Sequence, residues 1–490
     1  MYRKTLFHLI IMTVLMVGIF NAGCKKDPKP APVPVVTAKD LSKDTLYYLF
    51  KDEYLFTDLI PAYDIVNPRA SANNDSLFAK LTRYSTAPKD HYSFIDKGGS
   101  VASQIGQGVS QGDIGIEIFY PNSANLSDLR VKSVTKGSPA YTNGVRKGWQ
   151  ITSIDGNTNI AYDGSDVGGS SANIQRVVTA VYYSTSAVFV FKKPDATSVT
   201  KTLAAASYTI DPVVLDSVYT FGARKVGYMV FSSFIAIAKI KTELNAVFSR
   251  FATKGVTDLV IDLRFNGGGD VGTSEYLANL IAPKSVGTDS TKAMYTYDFN
   301  SRFKTSTYST LTKAYKLPPP DQKYSYADLF DSYYYWNKTT SFVKKGNVDV
   351  QNVVFIVTKS TASASELLMN NLKPYMNVSL IGKPTYGKPV GFFPIPIGGY
   401  DMYTISFRTI NANSVGDYYN GMPVAVDLYE DFAHDFGDIA EVYLNAALVK
   451  LGVKSLPILK AQSASIGTLD NSKLERGFKG MIETRFKKIK

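Results

Sequence analysis

Three short segments of this chain carry residue types and spacings that suit chemistry at the ends of buried strands. The first is Ser360-Thr361-Ala362-Ser363-Ala364-Ser365-Glu366, between an apolar strand candidate (Val353 to Val357) and a helical pattern (Leu367 to Leu372). A serine at such a junction sits at a helix N-terminus, where unpaired N–H groups and the helix dipole favour developing negative charge. Its small neighbours leave room for a substrate to reach the hydroxyl. Plain helix capping fits the same residues. The second segment, Thr385-Tyr386-Gly387-Lys388, follows another strand candidate, Val378 to Ile381. A lysine in a glycine turn is ordinarily a surface charge, but a buried one loses its proton readily enough to act as a base. The third, Asp262-Leu263-Arg264-Phe265-Asn266-Gly267-Gly268-Gly269-Asp270, follows the apolar run Val256 to Leu263 and precedes a helical stretch, Ser274 to Ile281. Consecutive glycines let backbone N–H groups approach a ligand, as an oxyanion hole or anion nest requires. The segment matches neither the P-loop nor the dinucleotide fingerprint, and a plain strand-to-helix turn fits it as well.

The chain has three histidines, His8, His91 and His434. His8 falls in an apolar leader, and neither of the others follows a buried strand, so a Ser-His-Asp triad has poor candidates. A serine nucleophile still needs a base, and lysine is what remains. No Cys or His cluster has metal-ligand spacing, and no cofactor is expected.

Taken together, these segments resemble the carboxyl-terminal processing, or tail-specific, serine proteases. The resemblance spans roughly residues 40–445. Its further markers are Val226-Gly227-Tyr228 and Ser232-Ser233-Phe234. It implies Ser363 as nucleophile and Lys388, 25 residues on, as base, with Lys383 outside the motif. It implies an oxyanion hole from the N–H groups of Ala364 and of Gly267 or Gly268. Some family members place an aspartate eleven residues after the serine; that position here is Pro374. Others use the glutamate three residues after it, which is Glu366, expected to orient Lys388. The implied fold is α/β and multidomain, with a core of the ClpP/crotonase-like type. The implied activity is cleavage of unfolded or C-terminally exposed proteins through an acyl-enzyme. Two alternatives from other classes are a non-catalytic scaffold and an apolar-ligand-binding lipoprotein on the same fold.

The elements that must position these residues divide the chain into six parts. Residues 1–23 read as a secretory leader: Arg3 and Lys4 precede the apolar Leu6 to Phe20, and Asn21-Ala22-Gly23 leads to Cys24, the sole cysteine. A lone cysteine there resembles a bacterial lipobox, although Asn21 departs from it, and implies lipidation at Cys24. Lys25 after it resembles outer-membrane sorting. Residues 24–37 form a Pro-rich tether. Residues 38–106 form a helical unit, with Leu46, Leu49, Phe50 and Tyr54 at helical spacing. Residues 107–205 change to short strands, and Gly137-Ser138-Pro139-Ala140 with Ile151-Thr152-Ser153-Ile154-Asp155-Gly156 resembles a PDZ domain (β with two helices). That resemblance implies capture of substrate C-termini by the loop Ile114, Gly115 and Ile116, with Asp113 an awkward neighbour for a carboxylate. Residues 206–445 form the α/β core, in which 284–350 make a weakly periodic excursion. Residues 446–490 read as a basic C-terminal extension.

The whole is 45% hydrophobic and 20% charged, ordinary for a globular chain. The net charge of +12 is carried by scattered lysines, and no nucleic-acid motif accompanies it. Expected partners are therefore protein or peptide substrates, and a bacterial membrane through the N-terminal lipid.

Overall fold

The computed structural model describes residues 38–85, 89–121, 124–163, 172–336, 338–455, 474 and 479–483. The leader, the tether and Cys24 lie outside the described residues. Among the described residues, no helix is long and apolar enough to cross a membrane.

A six-stranded sheet organises the core. Its order is Val426–Asp427, Asn377–Gly382, Asn352–Val357, Asp258–Asp262, Arg224–Phe231 and Val213–Phe221. The first five strands run parallel and the last pairs antiparallel with its neighbour. Parallel strands are covered on both faces, which is why Asp258–Asp262 and Asn352–Val357 are buried almost throughout. Their side chains alternate between two layers. Leu259, Ile261, Val353 and Phe355 join the larger hydrophobic cluster, which includes residues of the helices Ile237–Lys254, Val271–Ile281 and Ala364–Leu372. Val260, Val354 and Ile356 turn the other way, toward Tyr443, Leu444 and Leu448 of the helix Val442–Lys450.

The helix Ala38–Glu53 packs into the same large cluster through Leu46, Leu49 and Phe50, spaced to share one face. Its end anchors the excursion. Asp52 accepts from Arg302 at 2.8 Å, from the Ser309 N–H at 2.8 Å and from Thr312 at 2.6 Å. Residues 284–350 are more regular than their sequence suggests: they hold the strand Ala293–Phe299 and the helix Tyr326–Trp336. The strand Ala293–Phe299 belongs to a four-stranded antiparallel sheet with Thr339–Ser341, Phe407–Asn411 and Val390–Gly391.

A separate core gathers around the five-stranded antiparallel sheet Ile116–Phe119, Leu129–Val134, Gln150–Ile154, Ser186–Lys192 and Ser198–Ala204, packed against the helix Ala172–Tyr182. This sheet unit touches the α/β core through side chains. Lys147 pairs with Glu430 at 2.8 Å, and Lys132 donates to Ser360 Oγ at 2.9 Å.

The C-terminal part differs from the expected appended extension. The helix Val442–Lys450 crosses the boundary drawn at 445/446 and is buried over Val442 to Leu448. Residues Gly480–Ile482 form a strand that pairs in parallel with Gly268–Asp270, inside the core. A three-residue strand joined to its partners from far along the chain leaves little periodicity to read.

Candidate active site

The three segments singled out by sequence meet at the carboxyl ends of the parallel strands, where open α/β sheets bind ligands. Asp262 ends one strand, Ser363 follows Asn352–Val357, and Lys388 follows Asn377–Gly382. Hydrogen bonds stitch the loops together. Thr361 Oγ1 donates to the Leu263 carbonyl at 2.8 Å, the Ala362 N–H to Asn266 O at 3.1 Å, and the Tyr386 N–H to Thr361 O at 2.9 Å.

Ser363 is fully buried and precedes the helix Ala364–Leu372 with φ 58° and ψ −105°. A non-glycine residue in that region is strained and persists only where its surroundings hold it. Glu366 supplies part of that hold. Its Oε2 accepts the N–H of Ser363 at 2.7 Å and the N–H of Lys388 at 2.9 Å. Its Oε1 accepts the N–H of Gly387 at 2.8 Å and the Thr385 hydroxyl at 2.5 Å. One carboxylate therefore ties the serine turn to the lysine turn. Burial pushes its carboxyl above the usual range, opposed by those same hydrogen bonds. Glu366, expected from the sequence to orient Lys388, reaches that residue through its backbone N–H. The carboxylate is filled by N–H and O–H donors.

Lys388 is also fully buried. Burial holds its amine well below the usual lysine range, against the opposing pull of Asp90 and Glu366. Its Nζ lies 3.7 Å from the ring centre of Phe392 and 5.3 Å from that of Tyr92, and it donates to the Lys479 carbonyl at 2.8 Å. Among the described residues Ser363 Oγ makes no hydrogen bond, although it faces the Glu366 N–H in a capping-box arrangement. The direct Ser363–Lys388 hydrogen bond of a serine–lysine pair is thus not formed, although their backbones share one oxygen.

The glycine segment is closely apposed to the serine turn. A Cβ on Gly268 would stand 2.9 Å from both Ala362 O and Ala364 N, at φ +105°. Of the expected oxyanion donors, Gly268 departs from expectation: its N–H is given to Asn266 Oδ1 at 2.9 Å. Gly267 offers its carbonyl to the Gly480 N–H at 3.0 Å. Ala364 stands at the first turn of its helix, where N–H groups face outward.

The Asp262-Leu263-Arg264 marker has a structural use. Arg264 is completely buried and pairs with Asp262 at 2.7 Å, Glu441 at 2.8 Å and Glu430 at 2.9 Å. Tyr228 donates to Asp262 at 2.9 Å. Ile114 and Ile116 lie in the core of the sheet unit, and Gly115, at φ +76°, passes against Ser138. The Asp113 carboxylate accepts from Tyr208 at 2.7 Å and from Ser110. Sequence reasoning missed Tyr92, whose hydroxyl donates to Gly387 O at 2.7 Å, and Phe392. It also missed Asp90, which receives the Tyr54 hydroxyl at 2.9 Å.

The α/β sheet thus carries a strained serine at a helix N-terminus and a buried lysine on the next loop. Residues 225–428 match the model of peptidase family S41. The chain is 24% identical over 314 residues to the chloroplastic C-terminal processing peptidase of Tetradesmus obliquus, a match covering 60% of this chain. It spans about half, 55%, of the length of that relative. A crystal structure of an S41 protease from Bacteroides fragilis shares the fold with a TM-score of 0.59 at 20% identity, covering 84% of this chain and 97% of that one.

Proposed function

We propose that this chain is a serine endopeptidase in which Ser363 is the nucleophile and Lys388 the general base. The observation that carries the reading is the convergence on Glu366: the N–H groups of a strained serine and of a fully buried lysine, whose amine burial holds well below the usual lysine range, are fixed by one buried carboxylate. In the proposed reaction, neutral Lys388 takes the Ser363 proton and Oγ attacks a peptide carbonyl. The Ala364 N–H, with the neighbouring glycine turn, receives the negative oxygen. Lysine then protonates the leaving amine, and water, activated by the same lysine, releases the acyl group and restores the serine. Glu366 is a positioning residue.

The relative's name, C-terminal processing peptidase, supports a substrate class of proteins presenting an exposed C-terminal segment. In this reading the sheet unit acts as a PDZ domain that gathers such tails, and lipidated Cys24 holds the enzyme at a bacterial outer membrane. A serine-reactive organophosphonate tests the core of the proposal. Labelling is expected at Ser363 in the native chain and none in Ser363→Ala, with Lys388→Ala labelled far more slowly. Equal labelling of Lys388→Ala and the native chain would remove lysine from the mechanism.

A further inference from the structure

The strand Gly480–Ile482 runs beside the turns that carry Ser363 and Lys388. It enters between two segments of the site. On one side it pairs in parallel with Gly268–Asp270, and the Gly480 N–H donates to Gly267 O at 3.0 Å. On the other, the Phe392 N–H donates to Met481 O at 2.9 Å, and the Glu483 N–H donates to Phe392 O at 3.1 Å. This is addition of a strand to exposed edges, a common way of holding an extended peptide. The side chains are held as well. Met481 is fully buried and its Cγ would stand 2.9 Å from a Cβ on Gly391, beside the Phe407 ring. Ile482 is buried, and Glu483 accepts the Tyr297 hydroxyl at 2.8 Å. Further back, Leu474 is buried in the core of the sheet unit and its carbonyl accepts the Tyr182 hydroxyl at 2.9 Å.

The tail also reaches the chemistry. The Lys479 carbonyl takes the hydrogen bond of Lys388 Nζ, and among the described residues Ser363 Oγ makes no hydrogen bond. The amine that would serve the serine is engaged by the tail.

We infer that residues 479–483 are an intramolecular stand-in for substrate: they fill the peptide track, draw Lys388 away from Ser363, and must leave before a peptide is cut. The inference rests on the serine–lysine reading above. It also specifies the substrate class. The track takes an extended segment with an unbranched apolar side chain over Gly391, an aliphatic one next, and an acidic one beside Tyr297.

Two altered chains test this, neither touching Ser363, Lys388 or Glu366. One ends after Leu474. The other is Met481→Asp, which puts a charge into a dry pocket and expels the strand while the chain stays whole. Organophosphonate labelling of Ser363 and cleavage of unfolded casein are measured in both, alongside a thermal melt. Both activities should rise on the order of 10-fold or more, as expected when a tethered competitor is removed. A synthetic peptide of sequence Phe-Lys-Gly-Met-Ile-Glu-Thr, added to either altered chain, should slow labelling again, and the same peptide with Asp for Met should not. A folded Met481→Asp chain that labels at the native rate overturns the inference and leaves the nucleophile reading intact. Absence of labelling in all chains overturns the nucleophile reading and the inference with it.

Discussion

Changing Glu366 to glutamine and to alanine separates its role as a backbone anchor from any direct part in the chemistry. The carboxylate receives three backbone N–H groups and one hydroxyl, and all of its surroundings are buried. Alanine leaves the three N–H groups without an acceptor. At about 1–3 kcal/mol for each buried unsatisfied donor, the cost is roughly 3–9 kcal/mol. That is comparable to the whole stability of a typical domain, about 5–15 kcal/mol. Glutamine can turn its amino group toward Thr385, whose oxygen already accepts the Met422 N–H at 2.7 Å and can accept once more, so the Gly387 N–H and the Thr385 hydroxyl hydrogen lose their acceptor while the Ser363 and Lys388 N–H groups keep theirs. The expected cost is about 1–3 kcal/mol for the N–H and up to about as much again for the hydroxyl. Both changes loosen the turns that carry Ser363 and Lys388, and a displacement of about 1 Å at a reacting group can cost on the order of 100-fold in rate. Urea unfolding and the rate of Ser363 labelling should therefore fall in the order native, glutamine, alanine. Native stability and native labelling in Glu366→Ala would refute the anchor. Native stability with lost labelling in Glu366→Gln would instead assign the carboxylate to the chemistry.

The remaining predictions concern two titrations and one glycine. Labelling of Ser363 should rise with pH along a single acid limb set by Lys388, with its midpoint well below the ordinary lysine value of 10.5, because only the neutral amine accepts a proton; a midpoint at 10.5 or a flat profile contradicts this. The Glu53 carboxyl, buried and receiving the Ser406 hydroxyl at 2.6 Å, is raised by burial from 4.5 to about 8. The folded chain then binds more protons than the unfolded one between those values, so this group's contribution is fully present below 4.5 and lost as pH rises through about 8. Glu53→Gln should flatten that part of the melting temperature against pH, and an unchanged slope would oppose it. In the chain that ends after Leu474, so that Gly480, which the added methyl would also meet, is absent, Gly268→Ala should abolish labelling, since its methyl would press within 2.9 Å of Ala362 O and Ala364 N at a φ of +105°; labelling equal to that of the shortened chain with Gly268 would show that the two turns are not in contact.

Legibility in the sequence followed the range over which each feature is encoded. Val256 to Leu263 reads as a buried strand because both of its faces are covered and the run is continuous. Ser363 and Lys388 were legible as candidates because short local motifs carry them, and the structure brings their backbone N–H groups onto one carboxylate. The hold on those residues was not found, since it is distant: Tyr92 meets Gly387 across 295 residues of sequence. The helix Tyr326–Trp336 was read as irregular because its tyrosines and serine have little intrinsic helix preference, and packing decides their conformation. Gly480–Ile482 carries no strand pattern of its own: its pairing is supplied by Gly268–Asp270 and Phe392. The Asp262-Leu263-Arg264 marker was noticed, but its use lies in Glu430 and Glu441, which no local reading connects.

The tail strand has a consequence for how the cleft responds to concentration. A free peptide leaves its site when the solution is diluted, but a segment of the same chain does not. Its local concentration is set by the length of the connection, on the order of millimolar for a short flexible one, whatever the amount of protein present. If residues 479–483 stand in for substrate, a peptide gains access by outnumbering that fixed local concentration or by binding more tightly than Lys479 to Glu483 do. The cleft would then favour abundant or tightly bound tails and ignore rare, weakly fitting ones, a threshold set by the fit of residues 479–483 themselves.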